Sequence, residues 1–262
     1  MSWRILIVAG TALACSCGGA ASSTDGGKPG DPATLPPGSI LPSDSECAAR
    51  VLRSSWEPRP DNATANHARA SASQLQTFHG DTWDGVDDRA NSVLRQRVTG
   101  AFEGTTDEII QWGACKWGFD VNVIRAQAAT ESWWHQDTAG DLTSDATLWP
   151  PGASCRDSAN CYQTYGLLQI KWTYWKSAWP ISRDSTAFNV DAALGWRRTC
   201  YEGYIRWLSA PGTAGHPSYG PGDLWGCVGQ WFSGGWYDSG AIDYISKVQA
   251  NASNQVWLGQ YF

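Results

Sequence analysis

The sequence predicts a mostly α-helical single domain behind a disordered N-terminal tether. Three observations lead there. From Thr105 onward, apolar residues recur at the three-to-four-residue spacing of amphipathic helices. Strand-like alternation is scarce and no repeat stands out. The chain has 262 residues, 42% hydrophobic and 17% charged, which suits one well-filled core and excludes disorder throughout.

In chain order, residues 1–17 read as an export signal. Arg4 precedes an apolar run from Ile5 to Ala14 that is too short to span a membrane as a mature helix. Cys15 and Cys17 directly after it resemble a bacterial lipoprotein signal, and so a lipid anchor. Ala12 or Ala14 stands where such signals usually carry leucine, and plain secretion by cleavage nearby is the alternative. In both cases the protein is expected to be secreted or anchored to the cell envelope. Residues 18–46, rich in Gly, Pro, Ser and Asp, are expected to form a flexible linker. Residues 47–104 are expected to be a helical extension. There "CAARVLRSSW" and "DDRANSVLRQRV" are helix candidates, and the prolines of "EPRPDN" require extended or turned backbone.

Residues 105–262 carry the clearest periodicity. Thr105 and Glu108 form a capping box for "TTDEIIQWGACKWG", which closes at Gly118. Asp120 caps a second helix through "VNVIRAQAATESWW". Val121, Ile124 and Ala128 line its apolar face, and the next member of that stripe is Glu131. A loop is expected from about Gln136 to Gln163, followed by a turn or short strand at "YGLLQI". A third helix from about Ala187 to Leu208 sets Phe188, Ala192, Trp196, Cys200 and Tyr204 broadly on one face. After the loop "SAPGTAGHPSYGPGD" and the segment "LWGCVGQWF", a last helix starts near Ala241 with Ser239 as its cap.

Setting aside Cys15 and Cys17, the six cysteines 47, 115, 155, 161, 200 and 227 suit up to three disulfides in an exported chain. Six cysteines allow 15 connectivities. A local Cys155–Cys161 loop is plausible among them. Neither these spacings nor the 4 scattered histidines make a zinc site, so no metal or cofactor is expected.

The net charge of −6 argues against nucleic acid as partner, because phosphate binding needs clustered Lys and Arg. The 17 tryptophans are the compositional outlier. Most serve packing, yet exposed indole faces also make platforms for sugar rings. Such platforms would suit a sugar-bearing partner, and the chain is expected to be a monomer.

Burial makes Glu131 chemically interesting. A carboxyl on an apolar stripe, beside Trp133 and Trp134, has its charged form desolvated and its pKa raised. It then stays protonated near neutral pH, ready to donate to a leaving oxygen. The bland alternative is a helix-end glutamate turned to solvent or paired with an arginine.

Four motifs follow in order: "ES" at Glu131–Ser132, "GLLQ" at Gly166–Gln169, "FNVD" opening the third helix, and "QWFSGGWY" followed by "AIDYISKV". Together they resemble the soluble lytic transglycosylases and goose-type lysozymes of the lysozyme superfamily, over roughly residues 105–250. The resemblance implies a lysozyme-like fold and a glycoside-cleaving enzyme acting on peptidoglycan or another β-linked polysaccharide. It implies Glu131 as the single general acid and Ser132 as the residue that sets its geometry. Gly166 and Gln169 would line the cleft, Gln169 bonding the sugar. Asn189 would be structural or cleft-lining, and Trp134, Tyr165, Trp231 and Phe232 would complete the substrate surface.

One departure stands out. Phe232 replaces the tyrosine whose hydroxyl reaches toward the acid in transglycosylases, with Tyr165 and Tyr237 as candidate substitutes. A transglycosylase needs one carboxyl, whereas a hydrolase usually needs a second to activate water. Asp141 is the first choice for that second acid, because Gly140 before it permits a tight turn, and Asp145 comes second. The competing class is a lysozyme-like scaffold that grips glycan without cutting it. A pure binder has no need to bury Glu131.

Overall fold

A computed structural model describes residues 34–209 and 215–262. Residues 1–33, with the export signal and most of the expected linker, lie outside the described residues. From Thr34 the backbone is fixed, so the tether expected to reach residue 46 gives way earlier. Leu35 N bonds Gly118 O at 2.8 Å, and the Arg198 guanidinium donates to Leu35 O and Pro36 O. Ser43 then caps helix α1, Asp44–Arg50, through a capping box with Glu46.

Helix α1 ends short of Trp56, because the next amides find side-chain acceptors instead of helical carbonyls. Leu52 N donates to Gln111 Oε1 and Ser54 N to Glu108 Oε1. "EPRPDN" turns into a 3-10 helix at Pro60–Asn62, followed by α2, Ala63–Asn66, and α3, Ala72–Gly80. The second helix expected in this region is a π turn, Ala90–Leu94, running into a 3-10 turn, Arg95–Arg97. Residues 47–104 bury Phe78, Trp83, Val86, Val98 and Phe102 in the same core as the rest of the chain. No separate unit begins at residue 105; residues 31–262 form one.

The two strongest periodicities give α4, Thr106–Trp117, and α5, Val121–Ser132, with the caps read from Thr105, Gly118 and Asp120. After α5 comes a small antiparallel sheet in place of the expected loop: β1 Ala139–Thr143, β2 Cys155–Asp157, β3 Asn160–Tyr165 and β4 Ile170–Lys171. Central β3 pairs with β1, β2 and β4, with Ala139 opposite Tyr165 and Thr164 opposite Lys171.

Helix α6, Ile181–Asp184, leads into α7, Thr186–Tyr201, the helix at the centre of the core. Gly113 of α4 lets the two helices touch, since a Cβ there would run into Val190. Fully buried Asp191 on α7 accepts from Lys116 Nζ at 2.7 Å, Trp117 Nε1 at 2.7 Å and Gly100 N at 2.9 Å. That set of donors offsets its desolvation. Helix α7 stops at Tyr201, short of Leu208, because the chain turns back at Gly203 and Tyr204 N bonds Thr199 O. Helices α8, Leu224–Ser233, and α9, Ser239–Asn254, complete the fold; Asp238, not Ser239, caps α9 by accepting from Ala241 N.

The protein is therefore mostly helical with one small sheet. Among the described residues the disulfides are Cys47–Cys115, Cys155–Cys161 and Cys200–Cys227. Among the described residues no helix is long and apolar enough to cross a membrane, and no side-chain cluster could hold a metal ion.

Candidate active site

Where α5 ends, the chain takes two consecutive left-handed residues, Trp133 at φ 51° and Trp134 at φ 64°. Three bonds from the N-terminal region hold this turn. Arg59 Nε donates to Trp133 O at 2.6 Å, Asn62 Nδ2 to Trp134 O at 2.7 Å, and Asn62 Oδ1 accepts from Gln136 N at 2.8 Å. Glu131 sits in the last turn of α5. It is partly exposed as a residue, facing a cleft of roughly 1050 Å³, while protein encloses its carboxyl.

The turn 166–169 stands beside it. Gly166 adopts φ 90°, and a Cβ there would collide with Asn189 Nδ2. Asn189, fully buried, accepts from Leu168 N at 2.8 Å and donates to Tyr165 O and Ser182 O. The Ser132 hydroxyl donates to Leu167 O at 2.9 Å, fastening the acid's helix to the same turn. Gln169, at φ 52°, donates to Thr138 O and Gly166 O and accepts from Thr164 Oγ1.

Glu131, Asp141, Gln169, Trp231 and Phe232 thus line one cleft, whereas Ser132, Trp134, Tyr165, Gly166 and Asn189 do not. Ser132, Gly166 and Asn189 build the turn rather than meet solvent. Both hydrogens of the Gln169 amide are engaged within the protein, so it shapes the wall and has no N–H left for a sugar. Trp134 is swung into the core between Trp56, Trp257 and Phe262. The Tyr165 hydroxyl closes a bond to Tyr162 O at 2.9 Å, and that of Tyr237 donates to Asp223. Neither reaches the acid.

The hydroxyl that does reach it belongs to Tyr244 of α9, which donates to Glu131 Oε1. Its signal was present in the sequence: Ala241, Tyr244, Ile245 and Val248 follow the i, i+3, i+4, i+7 stripe of a buried helix face. Phe232 stacks on the Tyr244 ring at 4.9 Å and 4°. Arg197 of α7, buried below, is a second group without a motif to announce it.

Burial pushes the Glu131 carboxyl up to about 7, against the Tyr244 hydroxyl, the Arg197 charge and the Trp231 indole, which pull it down. The negative charge of Asp141 adds to the upward push. Burial, then the neighbouring Glu131, holds the Tyr244 phenol well above its ordinary value. Asp141 itself is exposed on β1, at φ 52°, and pairs with Lys171 Nζ at 2.9 Å. The left-handed residue is thus Asp141 itself, within β1, and Gly140 lacks a side chain because Gln169 and Thr164 press on it. Asp145 caps a 3-10 turn at Thr147 and stays off the cleft.

Aromatic side chains extend the cleft away from the acid. Trp175 meets Trp231 edge-on at 6.0 Å, and Trp196 stacks with half-exposed Trp207 at 5.8 Å. Thr82, Asp84 and Gly85, from the segment after α3, form part of the same lining. Comparison with protein-family models, curated proteins and solved structures gives no match for the chain.

Proposed function

We propose that the protein is an exported glycoside-cleaving enzyme of lysozyme-like fold, acting on peptidoglycan or another β-linked polysaccharide with Glu131 as general acid. One observation carries the reading: an enclosed carboxyl, pushed up to about 7 by burial, opens onto a cleft walled in part by indole rings. The rings suit the apolar faces of sugars. Glu131 passes its proton to the glycosidic oxygen as the C–O bond breaks, a contribution of roughly 10²–10⁴ in rate. Asp141, in the same cleft and paired with Lys171, is the group to activate water at the oxocarbenium carbon, which favours hydrolysis over closure of an anhydro ring. The cysteine pairs and the sequence before residue 18 support export.

The test is incubation with peptidoglycan and chitooligosaccharides, with products read by mass spectrometry. New reducing ends are expected from the wild type, and none from Glu131→Gln. Anhydro termini would replace hydrolysis by transglycosylation at the same acid. Full cleavage by Glu131→Gln would remove the assignment. Binding without product from any glycan would leave a binding module.

A further inference from the structure

Behind the cleft, polar side chains from three helices converge out of reach of solvent. Gln127 and Glu131 lie one turn apart on the same side of α5. Tyr244 comes from α9 and Arg197 from α7. Arg197 is 1% exposed, and its Nε, Nη1 and Nη2 have no hydrogen-bond partner among the described residues. Other buried arginines show what saturation looks like. Arg198 donates to Leu35 O, Pro36 O and Glu202, and Arg95 to Phe78 O and Ser177 Oγ. Arg197 instead has its electrostatic partners in Tyr244 and Glu131.

A lone buried cation is an unfavourable resting arrangement, since its desolvation is uncompensated. The imbalance disappears when a negative charge forms beside it. Glu131 forms such a charge when it acts as an acid. A fixed charge aimed at where another will develop lowers the barrier without having to reorganise.

We propose that Arg197 is a positioning residue for the acid, a buried counter-charge that balances the negative charge left on the Glu131–Tyr244 pair when Glu131 gives its proton to the glycosidic oxygen. The proposal rests on the glycosidase reading for its role in turnover, although the electrostatic coupling itself does not. The charged and titratable groups around the acid and its cleft are Tyr244 and Lys247 from α9, Arg197 from α7, Asp141 from β1, Lys171 from β4, Tyr174 just after β4 and Asp84 after α3. The other charged residues near Arg197 along α7 are engaged elsewhere, Arg198 with Glu202 and Asp191 with Lys116.

Two measurements test it. In Arg197→Gln, the basic limb of kcat/KM should move to higher pH by about 1, since the cation that favours ionised Glu131 is gone. The plateau rate should fall at least about tenfold. Arg197→Lys, which keeps a buried cation, should return the limb toward its wild-type position. A folded Arg197→Gln enzyme with an unmoved limb overturns the proposal. The second measurement needs no variant to fold: in wild-type protein with ¹³C,¹⁵N-labelled arginine and glutamate, the Arg197 guanidinium signals should shift through the Glu131 midpoint. A flat Arg197 trace across that midpoint overturns the proposal. Coupled titration in a wild type that yields no glycan product would retire the glycosidase reading and leave the counter-charge standing.

Discussion

The phenol of Tyr244 donates to Oε1 of Glu131, tying the last turn of α5 to α9 where an enclosed carboxyl faces the cleft. Burial favours the neutral acid and the phenol favours its anion, so the residue titrates where both forms are accessible at neutral pH.

Removing that phenol should leave burial less opposed. In Tyr244→Phe, the Glu131 midpoint should rise above its wild-type value of about 7. The basic limb of the pH–rate profile should follow it upward while the maximal rate falls roughly tenfold or more. The ring and its stack on Phe232 remain, so the fold should hold. A limb that moves downward would show that the hydroxyl does not serve the anion.

Glu131 should also govern stability. Its carboxyl titrates at 4.5 when unperturbed and at about 7 in the folded protein. Between those values the folded state binds more protons, so stability falls as pH rises through the window and the loss is complete above the folded value. The size should be about 2 kcal/mol, less than the shift alone implies because the residue is partly exposed. Urea denaturation of Glu131→Gln should therefore match the wild type near pH 4.5 and exceed it by that amount at pH 8.5. Equal stabilities at pH 8.5 would contradict the raised carboxyl.

Asp141→Asn should cut the appearance of new reducing ends by about 100-fold if its carboxylate activates water. It should also lower the Glu131 midpoint slightly, because the Asp141 charge holds that carboxyl up. Stability should change by less than about 1 kcal/mol, since the Lys171 pair is largely exposed. Full hydrolysis in this variant would take Asp141 out of the reaction.

Gly166→Ala should destabilise the protein by about 2–3 kcal/mol, because a side chain at φ 90° is strained and meets the Asn189 amide. Thermal unfolding would show it, together with loss of cleavage as the wall of the cleft shifts.

Replacing Cys200 and Cys227 by alanine should cost about 3.5 kcal/mol, the loop-closure value for a separation of 27 residues. Because that bond joins α7 to α8, which carries Trp231, glycan binding should weaken beyond the loss in Tm.

Where a side chain dictates its own backbone, the fold could be read from the sequence. Thr105, Asp120 and Gly118 marked helix ends through local bonds and one left-handed residue. The same periodicity set Glu131 on the inner face of α5. The helix expected to run through Trp134 ends at Ser132, because two left-handed residues rotate the chain away there. The strands were hidden because β1 and β2 are short runs that carry Gly and Asp and are at most partly buried, and the partner of β1 lies across a loop. Arg197 had no local signature, since being unpaired is a property of the assembled core.

The bonds from Arg59 and Asn62 to the turn after Glu131, and the wall formed by Thr82 to Gly85, bear on modularity. Every motif that suggests glycan cleavage lies after residue 104, so a shortened gene could keep all of them and still encode a hollow copy. The bearing of Glu131 and part of the cleft wall are set from a segment with no recognisable signature. Transplanting this chemistry into another scaffold would require moving both parts together.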